Sequence, residues 1–342
     1  MMITRIVCAF AAFAIAAGTV DAQGSAPNPT KPIHHFVFFG MDRELIRTDS
    51  LFLNTPEIEG AQITYPWRRL EQGKDGYNFS MIREDLEFLS AHGKKLWIQF
   101  QDVTFNDKNN FVPKYMLDDT AYHGGAAQAY RIGANDESEA KTGGWVARRW
   151  DPAVQDRLNK LFVKLGDEFD GKIEGINLDE TSLEYGSSGR LWPSGFTYES
   201  YRDAIIRNMK ALKAAFPKSV AMQYANFMPG EWRPSENKGY LDSVYSAAIA
   251  SHVAVGGPDI LPYRPGQRRG AHPLIQSAAG RVPTGLAVQD GNLAEINPET
   301  KKKTTAVELL DYAVNNLHLD YIFWGREEPY YSDEVIPLLR KH

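Results

Sequence analysis

Two consecutive acids end a short apolar run near the middle of the chain. In EGINLDE, Ile176 and Leu178 are typical of a buried strand, and Asp179 and Glu180 follow at once. Burying an unpaired charge is costly, so two carboxylates at this point indicate a purpose. Strand alternation turns only one of them inward unless regular pleating stops there. We predict that Glu180 performs acid–base chemistry and that Asp179 holds or tunes it; in the alternative, Asp179 caps a turn and Glu180 is solvated.

Eight short apolar segments, separated mostly by amphipathic stretches, could position these acids. They are 35–40, 61–65, 95–101, 173–179, 220–224, 252–257, 284–289 and 321–324. This alternation predicts an α/β fold, a single-domain (β/α)8 TIM barrel with Glu180 at the end of the fourth strand, on the face where barrel enzymes hold their sites. A doubly wound sheet is the alternative, but FFGMDREL after the first strand lacks a glycine-rich phosphate loop.

The N-terminus has the pattern of an export signal. Arg5 precedes an apolar run that is too short to count as a membrane span, and the small residue Ala22 closes the segment. We therefore predict a signal peptide at 1–22, cleaved after Ala22, and a proline-rich flexible leader at 23–33. The barrel domain would then occupy 34–342 of a secreted or periplasmic protein, free of the membrane once the signal is removed.

Composition narrows the chemistry and the partners. The single cysteine, Cys8, lies in the signal, so the exported chain would have no disulfide, thiol nucleophile or cysteine metal site. The formal net charge is −5, with both signs spread along the chain, which argues against nucleic acid as a partner. His34 and His35 are adjacent and would face opposite sides of a strand, so they make a poor metal pair. We expect no metal and no cofactor.

A family resemblance follows from two longer stretches. YPWRRLEQGKDGYNFSMIREDLEFLSAHGKKLWIQF, at 65–100, resembles the second strand, helix and third strand of clan A glycoside hydrolases. WDPAVQDRLNKLFVKLGDEFDGKIEGINLDE resembles the helix, turn and strand that carry the acid/base glutamate of that clan. The resemblance implies a barrel that cleaves glycosidic bonds, with Glu180 as the proton donor and Trp324 as an aromatic platform under the sugar. The matching residues in the first stretch are Trp67, Leu70, Glu71, Gly76, Tyr77 and Phe79.

The sequence departs from the clan at the carboxylates. The clan usually has Asn before the acid/base glutamate, where this chain has Asp179, and the nucleophile Glu expected after strand seven is replaced by Gln289 and Asp290. A second carboxylate is needed, about 5–5.5 Å from the acid in retaining enzymes and about 6.5–9.5 Å in inverting ones. We expect Asp290 or Glu327 to supply it, with Glu328 as a further candidate, and we expect Gln289 and Glu328 to contact the substrate.

Other polar and aromatic residues could bind sugar. Trp67 could stack on a sugar face, although packing in the core is the alternative for any single tryptophan. Asp259, beyond strand six, is interpreted as part of a turn. Four more side chains stand at strand ends, where loop capping is the alternative to a role with sugar hydroxyls: Gln101 and Asp102 after strand three, and Tyr224 and Asn226 after strand five.

Three functions remain open at this point. The leading prediction is a secreted glycoside hydrolase that acts on a β-linked oligo- or polysaccharide through two carboxylates. The second is a catalytically inactive barrel that binds carbohydrate, because the strand-seven glutamate is not evident. The third is a barrel enzyme of another class, such as a metal-dependent one, although no clear cluster of histidines and carboxylates supports it. Nothing in the sequence indicates an oligomeric state.

Overall fold

Eight parallel strands close into a barrel in the computed structural model, which describes residues 32–132, 136–231, 237–289 and 291–341. Each barrel strand pairs with the next along the chain, and the first also pairs with the last. Each of the eight predicted segments overlaps one barrel strand, so the predicted TIM barrel is confirmed. In order, the strands are β1 (His34–Phe38), β2 (Ile58–Pro66), β5 (Lys95–Gln101), β8 (Gly175–Leu178), β9 (Val220–Tyr224), β10 (Ala254–Gly257), β11 (Thr284–Val288) and β12 (Tyr321–Gly325).

Helices surround the barrel, and local sequence sets where they begin. Asp151 caps one of the two 18-residue helices, accepting hydrogen bonds from the backbone amides of Ala153 and Val154, and Pro152 occupies the first turn. Thr197 caps a second long helix and forms a reciprocal capping box with Ser200. The helices are α1 (Ser50–Leu53), α2 (Trp67–Leu70), α3 (Ser80–Ala91), α4 (Lys114–Asp118), α5 (Pro152–Phe169), α6 (Tyr198–Ala215), α7 (Tyr240–Ala250), α8 (Pro265–Arg269), α9 (Ala271–Ala278), α10 (Ala306–Asp311) and α11 (Ile336–Leu339).

Large aromatic side chains fill the interior of the barrel. Trp97 can occupy the axis because β8 opens with Gly175, where an added Cβ would lie 2.8 Å from the indole ring. A polar layer crosses the same interior: Gln62 Nε2 donates to Asn177 Oδ1 at 3.0 Å and to the Tyr224 hydroxyl at 2.9 Å. The apolar members of the interior cluster are Phe36, Trp97, Met222, Tyr224, Ala254, Ala287, Tyr321 and Phe323.

The long segment after β5 has structure of its own. Two antiparallel strands, β6 (Ala126–Arg131) and β7 (Lys141–Ala147), form a hairpin, and the backbone amide of Ala147 donates to the carbonyl of Asp102 at 3.0 Å. Gly144 has φ 135°, and an added Cβ would lie 1.9 Å from the Thr104 carbonyl oxygen. The hairpin therefore packs closely on the chain leaving β5 and returns to the end of that strand. A smaller hairpin, β3 (Glu71–Gly73) and β4 (Gly76–Tyr77), follows α2.

The two predicted N-terminal segments are not part of this description. Residues 1–22, the predicted signal peptide, and residues 23–31 of the predicted leader lie outside the described residues. Among the helices that are described, none combines the length and the apolar character needed to cross a bilayer.

Candidate active site

Glu180 lies at the C-terminal end of the barrel, next to a second predicted site residue. Strand β8 ends at Leu178, so regular pleating stops before the two acids. The side-chain amide of Asn226 donates to Glu180 Oε2, and the Asn226 oxygen accepts from the backbone amide of Phe227 at 2.9 Å. This second bond fixes which end of the amide faces the acid. The turn after β9 thus delivers one N–H donor to the partly buried carboxyl of Glu180.

The environment of Glu180 favours the protonated form. Burial is the main cause and raises the pKa of Glu180 to about 7, and the negative charge of Asp259 acts in the same direction. The hydrogen bond from Asn226 and the positive charge of Arg149 oppose this shift. A carboxyl with this pKa holds a proton for much of the time at neutral pH, which is the state that a general acid requires.

Asp259 is the acid whose charge acts on Glu180, although its position after β10 had indicated only a turn. Its Oδ1 accepts a hydrogen bond from Asn292 Nδ2 at 2.9 Å, and Asn292 is buried in the turn that follows β11. When Asp259 was interpreted as a turn residue, its location at the carboxyl end of the sixth barrel strand was not considered. Because the carboxyl ends of all barrel strands meet on one face, an acid two residues beyond strand six qualified as a candidate.

Asp102 and Asp179 lie in a buried ionic cluster, not on an open surface. Asp102 makes a bidentate ion pair with Arg149, whose Nε lies 2.9 Å from Asp102 Oδ2 and whose Nη2 contacts the other oxygen. Asp179 Oδ2 accepts from the backbone amide of Asp102 at 3.1 Å, and burial, together with the Asp102 charge, raises the pKa of Asp179. Both aspartates are at most 3 % exposed in this structure, and their contact with substrate stays a prediction.

Arg149 connects that cluster to the candidate acid, and no local sequence signal identified it. Its Nη1 donates to the backbone carbonyl of Glu180 at 3.3 Å and to the Tyr201 hydroxyl at 3.1 Å. The Arg149 guanidinium therefore anchors the main chain of Glu180 and at the same time forms an ion pair with Asp102. The carboxyl of Glu180 is left without an ion-pair partner among the described residues.

Three aromatic side chains that were predicted to contact sugar lie in the packed core. Trp67, Tyr224 and Trp324 are 0 %, 1 % and 0 % exposed, so none presents a face to a ligand. Trp67 Nε1 donates to Glu71 at 2.9 Å, and Trp324 Nε1 donates to His35 Nδ1 at 3.1 Å. For Trp324 the cause is strand alternation, since its neighbours at 321 and 323 point into the barrel and position 324 packs against the helix layer.

Four further predicted residues lie at the same end of the barrel. Glu327 Oε2 accepts from the backbone amide of Gly291 at 2.8 Å and so joins the loops after β11 and β12. Glu328 is exposed and accepts from the Ser332 hydroxyl at 2.7 Å, a local contact at the start of the last helical segment. Gln101 and Gln289 are partly exposed at the ends of their strands. Asp290 lies outside the described residues.

The described ranges contain no group of three or more His, Cys, Asp or Glu side chains arranged to hold a metal ion.

Comparison with known proteins identifies the fold. No protein-family profile matches the sequence, and no curated protein does. Among solved structures, a β-galactosidase from Bacillus circulans has a TM-score of 0.54 at 11 % identity, over 85 % of this chain and 50 % of that one. A β-galactosidase from the Antarctic haloarchaeon Halorubrum lacusprofundi gives 0.53 at 12 %, over 85 % and 52 %. A GH10 endoxylanase from a sugarcane soil metagenome gives 0.50 at 12 %, over 88 % and 89 %.

The TM-scores and sequence identities show a shared fold and do not show a shared activity. This chain spans about half the length of the two β-galactosidases and nearly all of the endoxylanase. The protein has a (β/α)8 barrel fold, which it shares with these β-galactosidases and this endoxylanase.

Proposed function

We propose that this protein is a secreted glycoside hydrolase that cleaves the O-glycosidic bonds of a β-linked oligo- or polysaccharide with two carboxyl groups. The observation that carries the proposal is Glu180, a carboxyl with a pKa of about 7 at the end of a barrel strand, with the charge of Asp259 acting on it. Glycoside hydrolysis needs such an unequal pair, one carboxyl protonated and one ionised.

Glu180 is the proposed general acid. It gives its proton to the glycosidic oxygen as the bond to the sugar breaks, and it becomes a carboxylate. The Asn226 amide then stabilises the new charge, because an N–H donor favours the ionised form of a carboxyl. Arg149, bonded to the Glu180 carbonyl, keeps the backbone in place without neutralising the acid beforehand.

Asp259 is the proposed second carboxylate. Asn292 holds one of its oxygens, and the ionised group can attack the sugar or activate water. Asp290 and Glu327 are the competing candidates, and Glu327 is held by the backbone of the loop that carries position 290. Azide rescue of Asp259→Gly, Asp290→Gly and Glu327→Gly distinguishes them, since a small anion restores turnover only where the carboxylate attacks or activates the nucleophile.

The test of the acid is Glu180→Gln. We expect a loss of about 10²–10⁴-fold in kcat/KM on unactivated glycans, the usual contribution of a general acid. The loss should shrink on aryl glycosides with an acidic phenol, because such a leaving group departs without protonation. Glu184→Gln is the matched control: this nearby glutamate is partly buried and accepts from the Ile132 amide at 2.8 Å. Wild-type activity in Glu180→Gln would remove Glu180 from the mechanism.

A carbohydrate-binding barrel without catalysis is the second candidate. Gln289, which carries no charge, stands at the end of β11, where the clan resemblance implies a nucleophilic glutamate. Glycan affinity without turnover by the wild type, on substrates that include activated aryl glycosides, would favour this function.

Export is proposed from residues 1–22 and is tested separately. N-terminal sequencing of the protein recovered from culture medium or periplasm should begin at Gln23. Recovery of the chain only in the cytoplasm, with Met1 retained, would contradict it.

A further inference from the structure

A basic cavity of about 540 Å³ opens on the same end of the barrel as Glu180. Its lining comes from chain that follows the first three barrel strands: Met41 after β1, residues 66–72 at the end of β2, and residues 108–114 after β5. Strand β5 is the immediate neighbour of β8, which carries Glu180. The volume falls within the roughly 300–1,000 Å³ of typical ligand pockets.

Positive charge distinguishes this cavity from the rest of the molecule. Arg68, Arg69, Lys108 and Lys114 line it, and no Asp or Glu does. The whole chain carries a formal net charge of −5, so four cations on one concave surface do not reflect the general composition. A concave site with one sign of charge attracts ligands of the opposite sign.

Two of the four cations are not neutralised by the described part of the protein, while the charge of Asp118 acts on Lys114 and Arg68. Within the described ranges, neither Arg69 nor Lys108 has a carboxylate at ion-pair distance, whereas Lys114 Nζ contacts Asp118 at 2.6 Å. Arg68 is half-buried and donates through Nε to the carbonyl of Val112 at 2.9 Å, a neutral partner. Burial lowers the pKa of Arg68, which reflects the cost of this partly desolvated charge.

We infer that this cavity binds an anionic group on the glycan, so the substrate is an acidic saccharide that carries a uronate carboxylate or a sulfate. A guanidinium offers paired N–H donors that match the oxygens of either group. Phe111, partly exposed in the lining, adds an apolar surface beside the cations, suited to the C–H face of a sugar ring. The inference rests on the proposed function for the identity of the ligand as a glycan.

The experiment measures binding, not turnover, on full-length mature Glu180→Gln protein. Isothermal titration calorimetry compares three oligosaccharides of equal length: one neutral, one containing uronic acid and one sulfated. We expect at least one acidic oligosaccharide to bind about tenfold or more tightly than the neutral one. The advantage should fall as NaCl rises from 50 to 500 mM, because salt screens exposed charges. The tighter of the two acidic ligands identifies the anionic group.

Two single variants locate the binding to this cavity. Arg69→Gln and Lys108→Gln remove exposed cations that make no ion pair in the described part of the chain, so both should fold. Each should weaken acidic binding about threefold to fivefold, the range of a partly screened charge pair, and leave neutral binding unchanged. Arg281→Gln and Lys210→Gln, exposed cations outside the lining, are the matched controls and should have no effect.

The outcomes separate this inference from the proposed function. Equal affinity for acidic and neutral oligosaccharides, or acidic affinity unaffected by Arg69→Gln and Lys108→Gln, would overturn the inference. If the wild type nevertheless hydrolyses a neutral glycan, the proposed hydrolase function stands. Salt-sensitive acidic binding that depends on both residues, in a wild type that cleaves no glycan, supports the inference and contradicts the hydrolase.

Discussion

Two glutamates in different parts of the barrel domain have opposite surroundings. Glu71 is fully buried, and its carboxylate accepts from Arg157, from the Tyr115 hydroxyl at 2.9 Å and from Trp67 Nε1 at 2.9 Å. Glu180 receives one side-chain amide, and the nearby arginine contacts only its backbone carbonyl. The first carboxylate has its charge and both oxygens satisfied, while the second has neither a counter-ion nor a full set of donors.

The set of partners around a carboxyl group distinguishes a structural glutamate from a reactive one more reliably than the residue type does. A carboxylate with a complete set of partners fixes the chain around it, as Glu71 does between α2, the β3–β4 hairpin and α5. A carboxyl that is partly buried and has incomplete compensation keeps its proton to a higher pH, and such groups concentrate at functional sites. The two glutamates therefore predict different consequences of the same substitution.

The largest expected effect on stability is that of Glu71→Gln. The change leaves the buried Arg157 guanidinium without its main counter-ion, so we expect a loss of about 3–5 kcal/mol in the free energy of unfolding. Urea denaturation measures it. Asp75→Asn is the matched control, because Asp75 pairs with the same arginine at 2.8 Å but its side chain is 63 % exposed; its cost in unfolding free energy should be much smaller than that of Glu71→Gln. Equal costs for the two variants would remove the distinction between buried and exposed partners.

Glu180→Gln should increase the free energy of unfolding at alkaline pH, the opposite of the effect of Glu71→Gln. The pKa of Glu180 is raised to about 7 by burial, above its ordinary value of 4.5. The unfolded chain therefore ionises first, and the stability of the protonated native state is lost as pH rises from about 4.5 through 7. Glutamine carries no such cost, so the variant should gain about 2 kcal/mol over wild type at pH 8, after a discount for partial exposure, and little at pH 4. No gain at pH 8 would contradict the raised pKa.

The Asp259 charge gives a sharper test of the same pKa. Asp259→Asn removes a like charge, so the pKa of Glu180 should fall. Titration by carbon-13 NMR of labelled glutamate reads the shift even if the variant is inactive. In the wild type, kcat/KM should decline above pH about 7, because the acid loses its proton. An unmoved Glu180 titration in Asp259→Asn would exclude Asp259 as the partner and return the role to Asp290 or Glu327.

The sequence predicted what local pattern can encode. Apolar runs of strand length, separated by capped amphipathic helices, identified all eight barrel strands, and the position of Glu180 beyond the fourth predicted its place at the catalytic face. Asn226 was included for the same reason, and its amide contacts Glu180. These inferences work because a strand end in a parallel barrel has a known location before any contact is known.

Contacts between distant parts of the chain were not predictable in this way. The Asp102–Arg149 ion pair joins residues 47 positions apart, and the Asn292–Asp259 bond joins residues 33 apart, across loops with no periodicity. Trp324 is a different case, because the alternation of β12 was readable. Tyr321 and Phe323 fill the barrel, so the resemblance to an aromatic platform at 324 conflicted with the pleat from the beginning.

The smallest predicted effect tests whether the two glutamate regions are independent. Tyr115→Phe removes one hydrogen bond to Glu71 and leaves its ion pair with Arg157, so we expect a loss of about 1 kcal/mol in unfolding free energy. The alkaline limb of the kcat/KM profile should not move, because neither residue contributes to the pKa of Glu180. A displaced limb with little change in stability would mean that the Glu71 region acts on the acid through the barrel, and the contrast between a structural and a reactive glutamate would no longer hold.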